Sequence, residues 1–122
     1  MARKTKQELA AERLAYEAQQ EQEDREAYPA RLMAVLELAT EKHNFELTVY
    51  RNKFYVVDRD DRDDTYYLSY KYENAESLYF LESLEDSVKR KAKARAEALR
   101  RYDVRQAALA KLTAEERELL DL

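Results

Sequence analysis

Cysteine, glycine and tryptophan are all absent from this chain of 122 residues. Without cysteine there is no disulfide, thiolate nucleophile or thiolate metal ligand, which suits a reducing compartment, and we expect a cytoplasmic location. Without glycine there is no Gly-rich phosphate loop, which argues against the usual kinds of nucleotide binding. The only histidine, His43, follows a predicted helix, where we expect it to cap the helix as a favourably placed cation rather than to catalyse.

Charged side chains make up 39% of the chain and hydrophobic side chains 45%. The charged fraction exceeds the roughly 25% of a typical globular domain, so much of it must lie on solvated helix surface. The length suits one domain with extensions. No apolar run approaches the ~18 residues of a membrane span, and the mixed charges of residues 1–8 are not those of a secretory signal. We therefore expect no membrane partner.

Helix-favouring segments lie on both sides of an aromatic centre. Thr5 begins a capping-box pattern, and an acidic, weakly amphipathic helix is predicted from there to near Tyr28. Pro29 disfavours helical geometry in the residue before it and suits the first turn of a new helix. A second helix, with an apolar stripe at helical spacing, is predicted over residues 30–43. Asn44 then replaces glycine as the left-handed residue at its end.

Alternating side chains in the centre predict three antiparallel strands joined as a meander. The stretch from Phe45 to Tyr50 alternates with the period of a half-buried strand, and residues 54–57 resume the pattern after a reversal. In the absence of glycine, Asn52 is the expected left-handed residue of this reversal. After an Asp-rich reversal, a third strand is predicted over residues 66–72.

A long helix follows, which begins after the cap Asn74 and ends at a break near Leu112, and Thr113 begins a short last helix. The apolar stripe at the start of the long helix is expected to cover the sheet beside the helix over residues 30–43. The predicted fold class is α+β, with two helices on one face of a three-stranded antiparallel sheet and projecting charged terminal helices. The predicted parts are a charged helical arm at 1–28, an α-β-β-β-α core at 29–90, and a basic helix extension with a short C-terminal helix at 91–122.

Tyrosine is in excess, with 10 Tyr against 3 Phe. A tyrosine ring combines apolar area with a polar tip, and Tyr and Arg often anchor protein interfaces. Because two helices cover only one face of the sheet, we predict that Tyr50, Tyr55 and Tyr67 lie on an open face and bind a partner protein. The alternative is that the tyrosine rings pack inward with their hydroxyls at the rim.

The run from Asp58 to Asp64 is rich in oxygen ligands but does not fit the EF-hand calcium pattern. Its central glycine is missing, and Ser69 stands where the terminal Glu belongs. We predict an exposed turn without a metal ion. Carboxylate pairs are common in acid-rich helices, so we predict no catalytic residue and no cofactor. Held on a rigid sheet, the turn offers candidate partner contacts at Asp60, Asp61, Asp63 and Asp64.

Positive charge is concentrated between Lys89 and Arg105. This segment contains eight basic and two acidic residues, which gives it a net charge of +6. A face of this kind binds nucleic acid through phosphate contacts that weaken steeply with salt. The alternative is a solvated helix that pairs with the acidic half of the first helix, or with a second copy in a homodimer through the terminal helices. The candidate nucleic-acid contacts are Lys89, Arg90, Lys93, Arg100 and Arg101.

This small, cysteine-free, charge-dense chain ends in Leu112-Thr113-Ala114-Glu115-Glu116-Arg117-Glu118-Leu119-Leu120 before its last two residues. In manner it resembles the accessory proteins that tailed bacteriophages make to bind and redirect host factors. The resemblance covers no motif and carries over no functional residue. It implies a host protein as partner and the host cytoplasm as location. We therefore predict a non-enzymatic protein-interaction module, an inhibitor or adaptor, with nucleic-acid binding by the basic helix as the second hypothesis.

Overall fold

The computed structural model describes residues 3–121, which form an α+β fold, as predicted. Three antiparallel strands lie side by side in the order in which they occur in the chain. Residues 1, 2 and 122, at the ends of the predicted arm and extension, lie outside the described residues. The division of the chain into three parts stays a prediction. In chain order the elements are α1 (Lys6–Lys42), β1 (Phe45–Tyr50), β2 (Lys53–Asp58), β3 (Thr65–Ser69), α2 (Ala75–Ala110) and α3 (Ala114–Leu119).

Helix α1 continues through Pro29, so the predicted helix end near Tyr28 and the predicted new helix after it are wrong. A proline in a helix interior costs about 3 kcal/mol, because it lacks an N–H and crowds the preceding turn. Packing offsets this cost, since Tyr28 is 0% exposed and Leu32 is 2% exposed. The Tyr28 hydroxyl also donates to the carbonyl oxygen of Ser69 at 2.7 Å. Burial of the turns on both sides of the proline therefore overrides the local preference.

The predicted helix caps are confirmed. The Thr5 side chain accepts a hydrogen bond from the Glu8 amide at the start of α1, and the Asn74 side chain accepts from two amides at the start of α2. A full capping box, led by Thr113, begins α3. Asn44 has a φ of 60°, as expected of the left-handed residue after α1. These caps fix where each helix begins and where the chain enters the sheet.

The turn between β1 and β2 differs from the prediction. Its left-handed residue is Arg51, with a φ of 55°, and not Asn52. The third strand is also shorter than predicted, since β3 ends at Ser69. Tyr72 lies beyond it and packs edge-on against Tyr28, with 6.0 Å between the ring centroids. The alternating aromatic pattern in the sequence therefore extends beyond the strand. Its last residues belong to a segment that packs on α1.

The strand register separates the two faces of the sheet. Leu47 pairs with Val56 across β1 and β2, whereas Thr48 pairs with Tyr55, which in turn pairs with Tyr67 of β3. Because side chains alternate along a strand, the face with Val56 is the inner one, which packs on the helices, and the face with Tyr55 is the outer one. The core is built from both helices and the inner face: Tyr28, Leu32, Val35, Leu36, Ala39, Phe45, Val56, Leu68, Tyr72, Leu81, Leu84 and Val88.

The two long helices are parallel and staggered. Arg31 of α1 forms an ion pair with Glu85 of α2, and Arg95, further along α2, donates to the carbonyl oxygen of Lys42 at 2.7 Å. Residue numbers therefore rise together along the pair, and each helix extends past its neighbour at one end. All side chains from residue 3 to 23 are exposed, as are all those from residue 93 to 108. We name residues 6–23 of α1 the N-arm and residues 93–110 of α2 the C-arm.

Across residues 3–121, no helix combines the length and the apolar character needed to cross a membrane.

Candidate functional site

The outer face of the sheet contains a concavity of about 740 Å³. The three predicted tyrosines, one from each strand, all line it. Tyr50 and Tyr67 are 67% and 58% exposed, while Tyr55 is half-buried between them. The rings therefore do not pack into the core. We name this surface the tyrosine basin and define it by Thr48, Tyr50, Arg51, Lys53, Tyr55 and Tyr67.

The floor of the basin is a cross-strand pair. Tyr55 and Tyr67 are opposite each other in the register of β2 and β3, and their ring centroids lie 4.8 Å apart with the planes tilted by 32°. Burial raises the pKa of the Tyr55 phenol above its ordinary value of 10.0, and the neighbouring Tyr67 raises it further. The Tyr55 hydroxyl is therefore protonated at neutral pH and is able to donate a hydrogen bond to a ligand.

The rim of the basin is basic. Arg51 occupies the two-residue turn from β1 to β2, and its guanidinium lies 5.4 Å from the centroid of the Tyr50 ring. Lys53 begins β2 on the same face as Tyr55, and Glu73 is the one acidic side chain that lines the concavity. The basin therefore offers aromatic faces at its centre and positive charge at one end. This arrangement suits an apolar or aromatic side chain next to a carboxylate or a backbone carbonyl.

Sequence reasoning did not identify Thr48, Arg51, Lys53 and Glu73 as part of the site. Thr48 could have been found from the antiparallel register, because it pairs with Tyr55 and therefore lies on the same face of the sheet. Lys53 lies two residues before Tyr55 on the same strand and therefore on the same face. Glu73 had no such signal, because it follows β3 in an irregular segment whose path depends on how α2 packs.

The acidic turn lies at the opposite end of the sheet from the basin. Asp58 ends β2 and pairs with Phe45, whereas Tyr50 pairs with Lys53 at the other end of the same strands. The structure therefore does not bring the predicted aspartates together with the predicted tyrosines. A partner that contacts both groups would have to span the length of the sheet.

The prediction of an exposed acidic turn is wrong for part of that turn. Asp58 is only 7% exposed, and Asp64 is half-buried, with Ser87 of α2 donating a hydrogen bond to its carboxylate at 3.0 Å. Asp60 accepts a hydrogen bond from the Asn44 side chain at 3.0 Å. Asp61 and Asp63 are exposed. The run therefore attaches the sheet to α2, and two of its four candidate contacts are held by the chain itself.

Lys91 of α2 is the cation that binds the turn. Its Nζ lies 2.5 Å from a carboxylate oxygen of Asp58 and 2.8 Å from one of Asp60. Burial disfavours the charged amine, but the hydrogen bonds and charges of the two carboxylates outweigh it and raise the pKa of Lys91. The hydrogen bond from Lys91 in turn lowers the pKa of Asp60, with further contributions from Asn44 and the Lys91 charge. Lys91 is therefore engaged within the chain.

The candidate nucleic-acid residues all lie on the solvent side of α2. Lys89, Arg90, Lys93, Arg100 and Arg101 are exposed, and their spacing places them on the side of the helix that faces away from the buried Leu84. Arg101 pairs with Glu97 on its own helix at 3.1 Å. The structure therefore assembles these side chains into one basic face, whereas Lys91 and Arg95 face the rest of the chain.

His43 lies at the end of α1, where its backbone N–H donates to the carbonyl oxygen of Ala39 at 3.2 Å. Its expected positive charge is not favoured there. Burial lowers the pKa of His43 below 6.5, and the nearby charges of Arg95, Lys91 and Lys42 lower it further. The imidazole Nδ1 is buried without a hydrogen-bond partner in the described part of the chain. Burial, followed by the neighbouring cations, therefore outweighs any stabilisation of a charged imidazole by the negative end of the helix dipole.

The chain matches no family model, no curated protein and no solved structure. Within residues 3–121, no three His, Asp or Glu side chains are grouped so that they could hold a metal ion.

Proposed function

We propose that the chain is a non-enzymatic protein-binding module, an inhibitor or adaptor of the kind that phages direct at host proteins, and that the tyrosine basin is its contact surface. The observation that carries this proposal is the convergence of Tyr50, Tyr55 and Tyr67 from three strands on one solvent-open concavity. The aspartates at the far end of the sheet are not needed for it. Of these, Asp61 and Asp63 are exposed and available as secondary contacts.

The physical support is the combination of rigid aromatic groups with a cation. A sheet holds its side chains in nearly fixed positions, so binding costs less conformational entropy than binding by flexible side chains. Tyr and Arg are the residue types enriched among those that dominate interface energies. The volume of the basin falls in the range of roughly 300 to 1,000 Å³ that is typical of ligand sites. It suits one or two side chains of a partner, with a carboxylate of the partner next to Arg51 or Lys53.

Substitution of the exposed rings tests the proposal. We expect Tyr50→Ala and Tyr67→Ala each to weaken binding of a protein captured from the source cell by about thirtyfold, the effect of losing ~2 kcal/mol at a binding hot spot. Tyr79→Ala is the matched control, because Tyr79 is 65% exposed but lies on α2. Capture with mass identification would name the partner, and calorimetry with the purified partner would give the affinities. Equal affinities for the basin variants and the control would contradict the proposal.

A second candidate function is nucleic-acid binding by the basic face of α2, which is favoured by the shared exposure of its five predicted residues. Its test is a titration of duplex DNA at two salt concentrations. Binding that weakens steeply with salt, and that the joint substitution of Lys89, Arg90 and Lys93 by Ala removes, supports it. Absence of binding at low salt contradicts it. The basin variants separate the two functions, because they leave the basic face unchanged.

A further inference from the structure

Strand β1 is an edge of the sheet, and half of its backbone groups point away from the sheet. Two hydrogen bonds near its start show which half. The Asp58 N–H donates to the Asp64 carbonyl oxygen, on the side away from β1, and the Arg59 N–H donates to the Asn44 carbonyl oxygen, each at 3.1 Å. Because hydrogen-bonding direction alternates along a strand, the N–H and C=O groups of Leu47 and Val49 point away from β2. Within residues 3–121 no strand lies there to pair with them.

This edge lacks the features by which proteins usually prevent strand pairing. β1 pairs with β2 in an unbroken register from Phe45 to Tyr50, and it contains neither proline nor lysine. Its side chains from residue 47 to 50 are exposed on both faces of the sheet. At β3, the opposite edge, the carbonyl oxygen of Ser69 already accepts from the Tyr28 hydroxyl at 2.7 Å. A regular and exposed edge is a template for another strand, so β1 is the edge that is open to one.

We propose that β1 pairs antiparallel with β1 of a second copy of this chain, about a two-fold axis at Thr48, so that two sheets of three strands join into one of six. Thr48 then lies opposite Thr48 of the second copy. Leu47 lies opposite Val49 of the second copy, and since the backbone groups of both point outward, this pair exchanges both of its hydrogen bonds. The axis is perpendicular to the sheet, so the inner faces of both copies stay on the same side.

The side chains of β1 are complementary to themselves in this register. On the inner face, Leu47 and Val49, which are 37% and 63% exposed in one copy, cover each other across the contact. On the outer face, Glu46 lies opposite Tyr50 of the second copy, and the Arg51 guanidinium of that copy lies 5.4 Å from the centroid of the same ring. Neither Glu46 nor Arg51 takes part in an ion pair within residues 3–121. The carboxylate of each copy thus gains a cation of the other.

Neighbouring registers lose this complementarity. With the axis at Leu47, Glu46 would lie opposite Thr48 of the second copy, and with the axis at Glu46 the two carboxylates would face each other, which is unfavourable. With the axis at Val49, the apolar Leu47 would lie opposite the charged Arg51 of the second copy. The match of β1 to itself in charge and in apolar contacts therefore favours a second copy as the occupant of this edge.

The contact goes beyond the proposed function and leaves the tyrosine basin open. Both basins lie on the outer face of the combined sheet, so a dimer presents two of them side by side. The N-arm and the C-arm take no part in the contact. Because each copy contributes the same edge about a two-fold axis, the assembly closes as a dimer and does not extend into a filament.

Sedimentation equilibrium of the full chain tests the proposal, and we expect a mass of twice the 14.5 kDa of one chain. Val49→Pro should raise the dimer dissociation constant by at least about tenfold, because proline removes an N–H that points to the second copy. That N–H does not bond to β2, so circular dichroism should show an unchanged fold. Val49→Thr is the matched control, because it keeps the N–H and a branched side chain, and it should leave the dimer intact.

Cross-linking tests the register, and the absence of cysteine from the chain makes it specific. The two copies of Thr48 form a pair without hydrogen bonds between them, about 4.5 Å apart at Cα, which is a distance that a disulfide spans. Oxidation of Thr48→Cys should therefore yield a covalent dimer. Tyr50→Cys is the control on the same face, because the two copies of residue 50 are roughly 14 Å apart along the strands, and it should not cross-link.

Reversal of charge tests the same register in a chain that keeps every backbone N–H. Glu46→Lys and Arg51→Glu should each raise the dissociation constant about tenfold, and the double variant should restore the dimer. A wild-type chain that sediments as a monomer at the highest soluble concentration would overturn the proposal, as would a dimer that both Val49→Pro and the charge reversals leave unchanged. A monomer whose Val49→Pro variant loses a protein captured from the source cell would also overturn it, and would assign the edge to a strand of that partner.

Discussion

Lys91 of α2 reaches the end of β2, where its Nζ lies 2.5 Å from the buried carboxylate of Asp58. The same ammonium group lies 4.8 Å from the centroid of the Phe45 ring at the start of β1. One side chain therefore connects the long helix with two strands. Neither the buried carboxylate nor the half-buried ammonium is well solvated, so each relies on the other for compensation.

Removal of the amine should destabilise the fold. In Lys91→Met the alkyl stem remains, but Asp58 is left buried without its cation, and we expect a loss of about 3 kcal/mol in the free energy of unfolding. Urea denaturation measures this as a lower midpoint with an unchanged m-value. Lys89→Met is the control, because Lys89 is exposed on the same helix. Equal midpoints for the two variants would show that the Asp58 contact does not matter for stability.

Acidification should destabilise the protein through His43, the only histidine. Its pKa is lowered in the folded state, so the unfolded chain binds a proton first as the pH falls. The contribution is therefore fully present above the unfolded pKa of about 6.5 and is lost as the pH falls from there through the folded pKa. The melting temperature should fall between about pH 7.5 and about pH 5. In His43→Asn this decline should be smaller, and an identical decline in both proteins would contradict the assignment.

Substitution of Arg51 by glycine should raise the stability of the fold and weaken binding of the partner. A residue other than glycine in the left-handed region is strained by roughly 1 kcal/mol, and Arg51 has a φ of 55°. Arg51→Gly should relieve that strain, with a net gain in stability of about 0.5 kcal/mol after the added freedom of the unfolded chain. It also removes the cation beside Tyr50, so binding of the captured partner should weaken. Asn52→Gly serves as control, since Asn52 has no positive φ to relieve.

Short sequence patterns predicted those features of the fold that depend on residues close together in the chain. The caps at Thr5, Asn74 and Thr113 depend on a side chain that accepts from amides two or three residues away, so short sequence patterns identified them. Strand alternation likewise separated Tyr55 and Tyr67 from the core face. Contacts distant in sequence were not predictable in this way. The pairing of Lys91 with Asp58 depends on how α2 crosses the sheet, and residue types alone do not encode that.

Pro29 is a second example of a feature that residues nearby in sequence do not predict, in this case the continuation of a helix. Its sequence context favours a boundary, and the structure instead places it within the 37 residues of α1. Restoring the missing backbone N–H should therefore be favourable. We expect Pro29→Ala to raise the free energy of unfolding by about 2 kcal/mol, which is the interior cost of proline less its stiffening of the unfolded chain. Met33→Ala is the control, because Met33 is 63% exposed in the same helix and lacks this backbone effect.

The sign of the Pro29→Ala effect separates the two arrangements of the chain. If a helix ended near Tyr28 and a new one began at residue 30, proline would occupy a first-turn position that favours it, and the substitution would be neutral or destabilising. If α1 is continuous, the new amide donates to the carbonyl oxygen of Arg25, four residues before it. Chemical denaturation of the variant gives the sign. Amide hydrogen exchange over residues 26–33 should then show protection continuing through position 29, because the turns on both sides are held by the buried Tyr28 and Leu32.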